Sequence, residues 1–141
     1  MKVSDLMTKN PATARPTSGL HEVAKMMRDC DCGAIPVVDN EKIVGVITDR
    51  DITIRVIADN KKKTQDVKVS DVMSKQVVTA MIGDDVNDVA NLMEKHKVRR
   101  IPVVDERGFI VGMVSQADIA LNTSDSTTAD VVQKVSEPGK K

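Results

Sequence analysis

The segment Ile35-Pro36-Val37-Val38-Asp39, followed by Ile43-Val44-Gly45-Val46-Ile47-Thr48-Asp49-Arg50-Asp51, is written twice in this chain. It returns as Ile101 through Asp105 and then Ile110 through Asp118. A shift of 66 positions sets Val3-Ser4-Asp5 on Val69-Ser70-Asp71, Met7 on Met73, and Ile35 to Asp39 on Ile101 to Asp105. Between Leu20 and Asp39 eight of twenty positions are then identical, which marks a copied supersecondary unit rather than a shared composition. One extra residue near Gly108 raises the shift to 67, after which Gly45 falls on Gly112, Thr48 on Ser115 and Asp51 on Asp118. That slip sits in an expected turn, where an insertion is easily absorbed. Two copies of this kind share a core, so the expectation is one pseudo-symmetric module whose function lies between its repeats.

With 141 residues in all, each half alone buries too little apolar surface to be comfortably stable. The 21 basic residues balance the 21 acidic ones, so no global field favours nucleic acid or an anionic membrane. Tyr and Trp are absent and Phe109 is the only aromatic residue, which removes the stacking platform of most single-strand binders. Any base bound here lies against aliphatic groups. No apolar run approaches the roughly 20 residues of a membrane span, and Met1-Lys2-Val3-Ser4-Asp5 has no signal-peptide core. Cys30 and Cys32 are too close together to staple a fold and suggest a reducing compartment. The expected location is cytoplasmic.

Val3 to Thr8 reads as a helical lead-in with Ser4 as its cap, ended by Pro11 before an extended piece at Ala12 to Arg15. From Ser18 the apolar residues Leu20, Val23, Ala24, Met27 and Cys30 recur at helix spacing, with Gly33 as the stop. Ala34 to Val38 and Ile43 to Thr48 are β-branched runs around Asp39-Asn40-Glu41, a hairpin, and Thr48 opens a second helix. The second copy repeats the order: lead-in Val69 to Ser74, extended Val77 to Ala80, helix Asp85 to His96, strands Arg100 to Val104 and Ile110 to Val114, helix from Ser115. The expected fold class is α+β, a mixed α/β arrangement of two β-α-β-β-α repeats, each a three-stranded sheet with two helices. The first repeat spans 1–58 with its lead-in, 59–66 is a polar linker holding Lys61-Lys62-Lys63, and the second repeat spans 67–122. The Ser/Thr/Asp-rich tail 123–141 is expected to be partly disordered, with one turn around Val131, Val132 and Val135.

Thr48-x-x-Asp51 and Ser115-x-x-Asp118 each open a helix directly after a Gly-containing strand. A hydroxyl followed three residues later by a carboxylate is close to a capping box, and a single instance would favour that structural role. Two instances at equivalent places point further. Each helix start offers free N–H groups and a favourable dipole to a phosphate, the aspartate can take a ribose diol, and flanking Ile and Val can hold a purine.

The Met-Thr/Ser lead-in, Ile-Pro-Val-Val-Asp and Gly-x-x-Thr/Ser-x-x-Asp, in two copies from about Met1 to Asn122, resemble a pair of CBS (cystathionine-β-synthase) domains, or Bateman module. The resemblance implies a regulatory module that binds AMP, ATP or S-adenosylmethionine in clefts between the repeats and signals to an effector protein, with the adenosine nucleotide as regulatory ligand rather than catalytic cofactor. It also implies that each cleft takes its Thr/Ser-x-x-Asp from one repeat and its other wall from the residues before Ile-Pro in the other. Site A is then Thr48, Arg50 and Asp51 with Arg99, Arg100 and Ile101, rich in phosphate-binding guanidinium groups. Site B is Ser115 and Asp118 with Gly33, Ala34 and Ile35, without an arginine. A homodimer through the helices is a further implication, which apolar faces around Met26, Met27 and Met93 would support. The alternatives are a ligand-independent dimerisation module, an S-adenosylmethionine or NAD sensor, and a minor nucleotide-acting enzyme using Asp51 as base.

A metal centre at Cys30-Asp31-Cys32 with His96 or His21 is not expected, because the spacing is Cys-x-Cys and no second pair exists. His21-Glu22 lacks the second histidine of a zincin helix. No nucleophile recurs beside a base and no Gly-rich phosphate loop is present, so the chain reads as a binding protein rather than an enzyme. The methionines at 7, 26, 27, 73, 93 and 113 read as core.

Overall fold

A computed structural model of the chain describes residues 1–122 and 132–136. It divides into two compact units, one formed by Pro11–Val77 and the other by Met1–Asn10 together with Val78–Lys141.

In the unit Pro11–Val77, helix α1 (Leu20–Cys30) buries Leu20 and Val23, half-buries Met27 and turns its charged residues outward, while Ala24 and Cys30, expected on the same apolar face, are exposed. Its stop differs from the expected one. Asp31, not Gly33, takes the left-handed conformation at φ 52°, and the N–H of Cys32 closes on the Met27 carbonyl at 3.0 Å. Aspartate tolerates that region better than most residues, so glycine is not required. Strands β2 (Ala34–Asp39) and β3 (Lys42–Thr48) form the hairpin, with Ile35 opposite Ile47 and Val37 opposite Gly45. Asn40 and Glu41 carry φ of 51° and 67°, the pair of positive values that a two-residue hairpin turn needs. Helix α2 (Asp49–Ile52) runs on as a π-helix over Thr53–Ala58, and α3 (Val69–Val72) follows the linker. Leu20, Val23, Ile35, Val37, Ile47, Val56 and Val69 form the core.

In the other unit, β4 (Ala80–Met81) lies parallel to β5 (Arg100–Val104), β5 antiparallel to β6 (Ile110–Ser115), and β6 antiparallel to β1 (Thr8–Lys9). Helix α4 (Val86–His96) starts at Asp85, whose carboxylate accepts the Asn87 N–H at 2.8 Å, and α5 (Gln116–Asn122) leaves β6. Val3, Val89, Met93, Ile101, Val103, Val114 and Ile119 make its core. Residues 132–136 are helical and Val135 packs on that core, where a single turn was expected. The rest of the tail, with its expected disorder, lies outside the described residues.

Where three strands per repeat were expected, the second repeat's sheet has four and the first repeat's is the two-stranded hairpin flanked by single bridges, and each receives the other repeat's lead-in at one edge. β1 extends the sheet of the second repeat; at the equivalent position Ser74 bridges Val46 at 2.9 and 3.0 Å on the first. On the opposite edge Ala14 bridges Val37 as β4 pairs with β5. The lead-in itself is a 3₁₀ turn at Val3–Asp5, and Ser4 does not cap it. Asp5 reaches back to the Lys2 N–H at 3.1 Å, as Asp71 does to that of Lys68 at 3.0 Å. The slip of one residue is also accounted for: the longer hairpin Asp105 to Phe109 is closed by Gly108 at φ 82° and by the Asp105 carboxylate.

Among the described residues no helix is long and apolar enough to cross a membrane.

Candidate ligand site

Both Thr/Ser-x-x-Asp motifs are closed capping boxes. At the start of α2 the Asp51 N–H donates to Thr48 Oγ1 at 3.1 Å and the Thr48 N–H to Asp51 Oδ2 at 3.0 Å. At α5 the Asp118 N–H donates to Ser115 Oγ at 3.1 Å and the Ser115 N–H to Asp118 Oδ2 at 2.8 Å. The box fixes each carboxylate through Oδ2 and leaves Oδ1 outside it. Asp51 is buried, at 9% exposure. Its Oδ1 lies 3.9 Å from Nη1 of Arg55. Arg55 was not foreseen as a site residue; its i,i+4 spacing from Asp51 was the available signal.

Within each unit the residues beside the box are those expected to serve the other repeat's motif. Gly33 accepts the Asp49 N–H at 3.0 Å and Ala34 stands opposite Thr48, so Gly33, Ala34 and the buried Ile35 neighbour Thr48, Arg50 and Asp51. In the other unit Arg99 accepts the Gln116 N–H at 2.8 Å and Arg100 stands opposite Ser115. Arg99 and Arg100 are exposed there, Ile101 is fully buried, and Ser115 and Asp118 are half-buried beside them. Arg50, in the first of these units, is exposed as well.

Cys30 and Cys32 lie side by side, with Cα atoms 5.4 Å apart. His21 Nε2 faces Thr64 Oγ1 at 3.2 Å. Among the described residues no group of three or more His, Cys, Asp or Glu side chains is placed to hold a metal ion.

The CBS domain family profile matches residues 3–57 and again 69–125. The chain belongs to the CBS domain family. A CBS domain-containing protein of Bacillus subtilis, YhcV, is 36% identical over 127 residues, which cover 90% of this chain and 89% of that one. The CBS domain pair of protein MJ0100, solved with 5′-methylthioadenosine and S-adenosyl-L-methionine, superposes with a TM-score of 0.77 at 34% identity, covering 86% of this chain and 98% of that one. CBSX2, solved with AMP, superposes with a TM-score of 0.72 at 25% identity, covering 85% and 93%. CBS pairs similar to this chain thus hold adenosine-containing molecules.

Proposed function

We propose that this CBS pair is a regulatory sensor of an adenosine-containing ligand, read at its two Thr/Ser-x-x-Asp helix starts. The observation that carries the reading is a carboxylate fixed through Oδ2 by each box, with Oδ1 outside the box and, at Asp51, 3.9 Å from the Arg55 guanidinium. A vicinal diol donates two O–H groups, and a positioned carboxylate oxygen with two lone pairs is their natural acceptor. The similarity to pairs solved with AMP or S-adenosyl-L-methionine supports the same ligand class here. We assign the phosphorylated ligand to Thr48, Arg50 and Asp51 with Arg99 and Arg100, and a ligand of lower charge to Ser115 and Asp118 with Gly33, Ala34 and Ile35. Ligand that binds one arrangement of the repeats better than another shifts their balance, which an effector protein reads, and no chemistry is performed on it. The module works in the cytoplasm as a homodimer.

Native mass spectrometry with AMP, ATP and S-adenosylmethionine tests this, because it reports oligomer size and ligand count together. Adducts present in the wild type, weakened by Arg100→Ala for AMP and ATP but kept for S-adenosylmethionine, are the expected result. Equal affinities in Arg100→Ala would overturn the asymmetry between the sites.

The closed boxes favour one rival, an assembly module in which Asp51 and Asp118 only cap helices. It predicts that Asp51→Ala costs about 1 kcal/mol of stability while no nucleotide shifts the melting temperature of either protein.

A further inference from the structure

The unit Pro11–Val77 contains a cavity of about 530 Å³ away from the Thr48 box, at the far end of the helix that carries Asp51. Its floor is Val56, Val67 and Val72, each about 5% exposed, and its walls are Arg55, Lys61, Lys62, Asp59 and Asp71. We infer that this cavity is a second binding site, for a small soluble molecule that joins a phosphoryl group to an apolar portion.

Three observations carry the inference. The chemistry is divided as such a ligand needs: a valine floor for the apolar part, and a guanidinium with two ammonium groups for the phosphoryl oxygens. Of the two acids, Asp71 already accepts the Lys68 N–H at 3.0 Å, so it is held as a cap. The guanidinium is also absent from the other copy. At the shift of 67 positions Arg55 becomes Asn122. Asn122 merely folds back on the Asp118 carbonyl at 2.9 Å, so the shared fold does not demand a cation there. Finally, Arg55 is held ready. Its Nη1 donates to the Val72 carbonyl at 2.8 Å and lies 3.4 Å from that of Met73, which fixes the guanidinium at the cavity wall while its other nitrogens remain to donate.

The same guanidinium lies 3.9 Å from Asp51, so a phosphoryl group that draws it away alters the charge beside the ribose acceptor. Only this coupling rests on the adenosine reading; the cavity stands without it. Occupancy of the two sites is then linked, and the linkage is reciprocal.

Pyrophosphate and glucose 6-phosphate, titrated into the full-length chain with amide chemical shifts as readout, test the site. Both probes are expected to saturate with shifts at Lys61, Lys62, Val67 and Val72, and the exposed double variant Lys61→Gln/Lys62→Gln is expected to weaken them about tenfold or more. Uncharged adenosine, titrated into the same variant, reports on the Thr48 and Ser115 motifs and is expected to bind as in the wild type. Shifts confined to Arg50, Arg99 and Arg100, or equal affinity in the double variant, would overturn the inference. Binding to anionic vesicles but to neither soluble probe would overturn it too, by making the lysines a membrane contact. If adenosine fails to bind while the phosphorylated probes still do, the sensor reading falls and the cavity remains.

Discussion

At the scale of single residues, the one-residue slip between the repeats shows how a carboxylate can do the work of a turn. Asp105 Oδ1 accepts the N–H groups of Arg107 at 2.9 Å and Phe109 at 3.1 Å, and Oδ2 takes Nε and Nη2 of Arg107 at 3.1 and 2.8 Å. The guanidinium then lies 4.4 Å from the centre of the Phe109 ring, which places the chain's only aromatic side chain. The hydrogen bonds from the Arg107 side chain hold the Asp105 carboxyl below its ordinary 3.8, against the desolvation that pushes it up. A depressed folded-state value means that the contribution is present above 3.8 and disappears as pH falls through the lower, folded value. Asp105→Asn is therefore expected to lower the melting temperature at pH 7, and the gap to the wild type should close as melts are repeated toward strongly acidic pH. A gap of constant size would assign the effect to turn geometry instead of charge.

At the scale of elements, a glycine and a methionine join each lead-in to a sheet. A Cβ at Gly45 would come within 2.7 Å of the Met73 sulfur and 2.9 Å of the Ser74 carbonyl oxygen, and Gly112 meets Met7 and Thr8 in the same way. The side chain could yield, but the backbone carbonyl is held by the Val46 bridge, so Gly45→Ala should cost about 1–3 kcal/mol in urea unfolding. A cost near zero would mean that the lead-in slides freely on the strand. This contact explains what was legible in the sequence and what was not. The two long helices, the hairpins and both boxes follow from local periodicity, caps and turn residues, and they lie where the residues placed them. The edge strands did not follow, because Thr8-Lys9 and Ser74 pair with strands of the other copy, and short extended pieces carry no mark of their partner. Gly45 and Gly112 were visible as equivalent glycines, but the methionine above each was read only as core. Arg55 does not stand out in the same way, because the pattern of its helix is carried by the apolar residues on either side of it.

At the scale of the whole molecule, the sequence repeats and the compact units are different sets of residues. Met1–Asn10 belongs by sequence to the first copy and by packing to the unit that contains the second. Val3 is fully buried there, and Leu6 and Met7 pack on the same core beside Ile101, Val114 and Ile119. Deleting residues 1–9 removes one complete burial, two partial ones and the edge strand β1. The loss should be at least about 2 kcal/mol, since a buried valine alone is worth roughly that much. Its location is the sharper test. Hydrogen exchange should quicken at the amides from Val111 to Val114, in β6, while those from Ile35 to Val38, in β2, keep their wild-type protection. Loss confined to β2 and β3 would return the lead-in to its own repeat. Loss across both sheets would mean that the two units unfold as one cooperative body, and a ligand at either motif would then stabilise the entire chain.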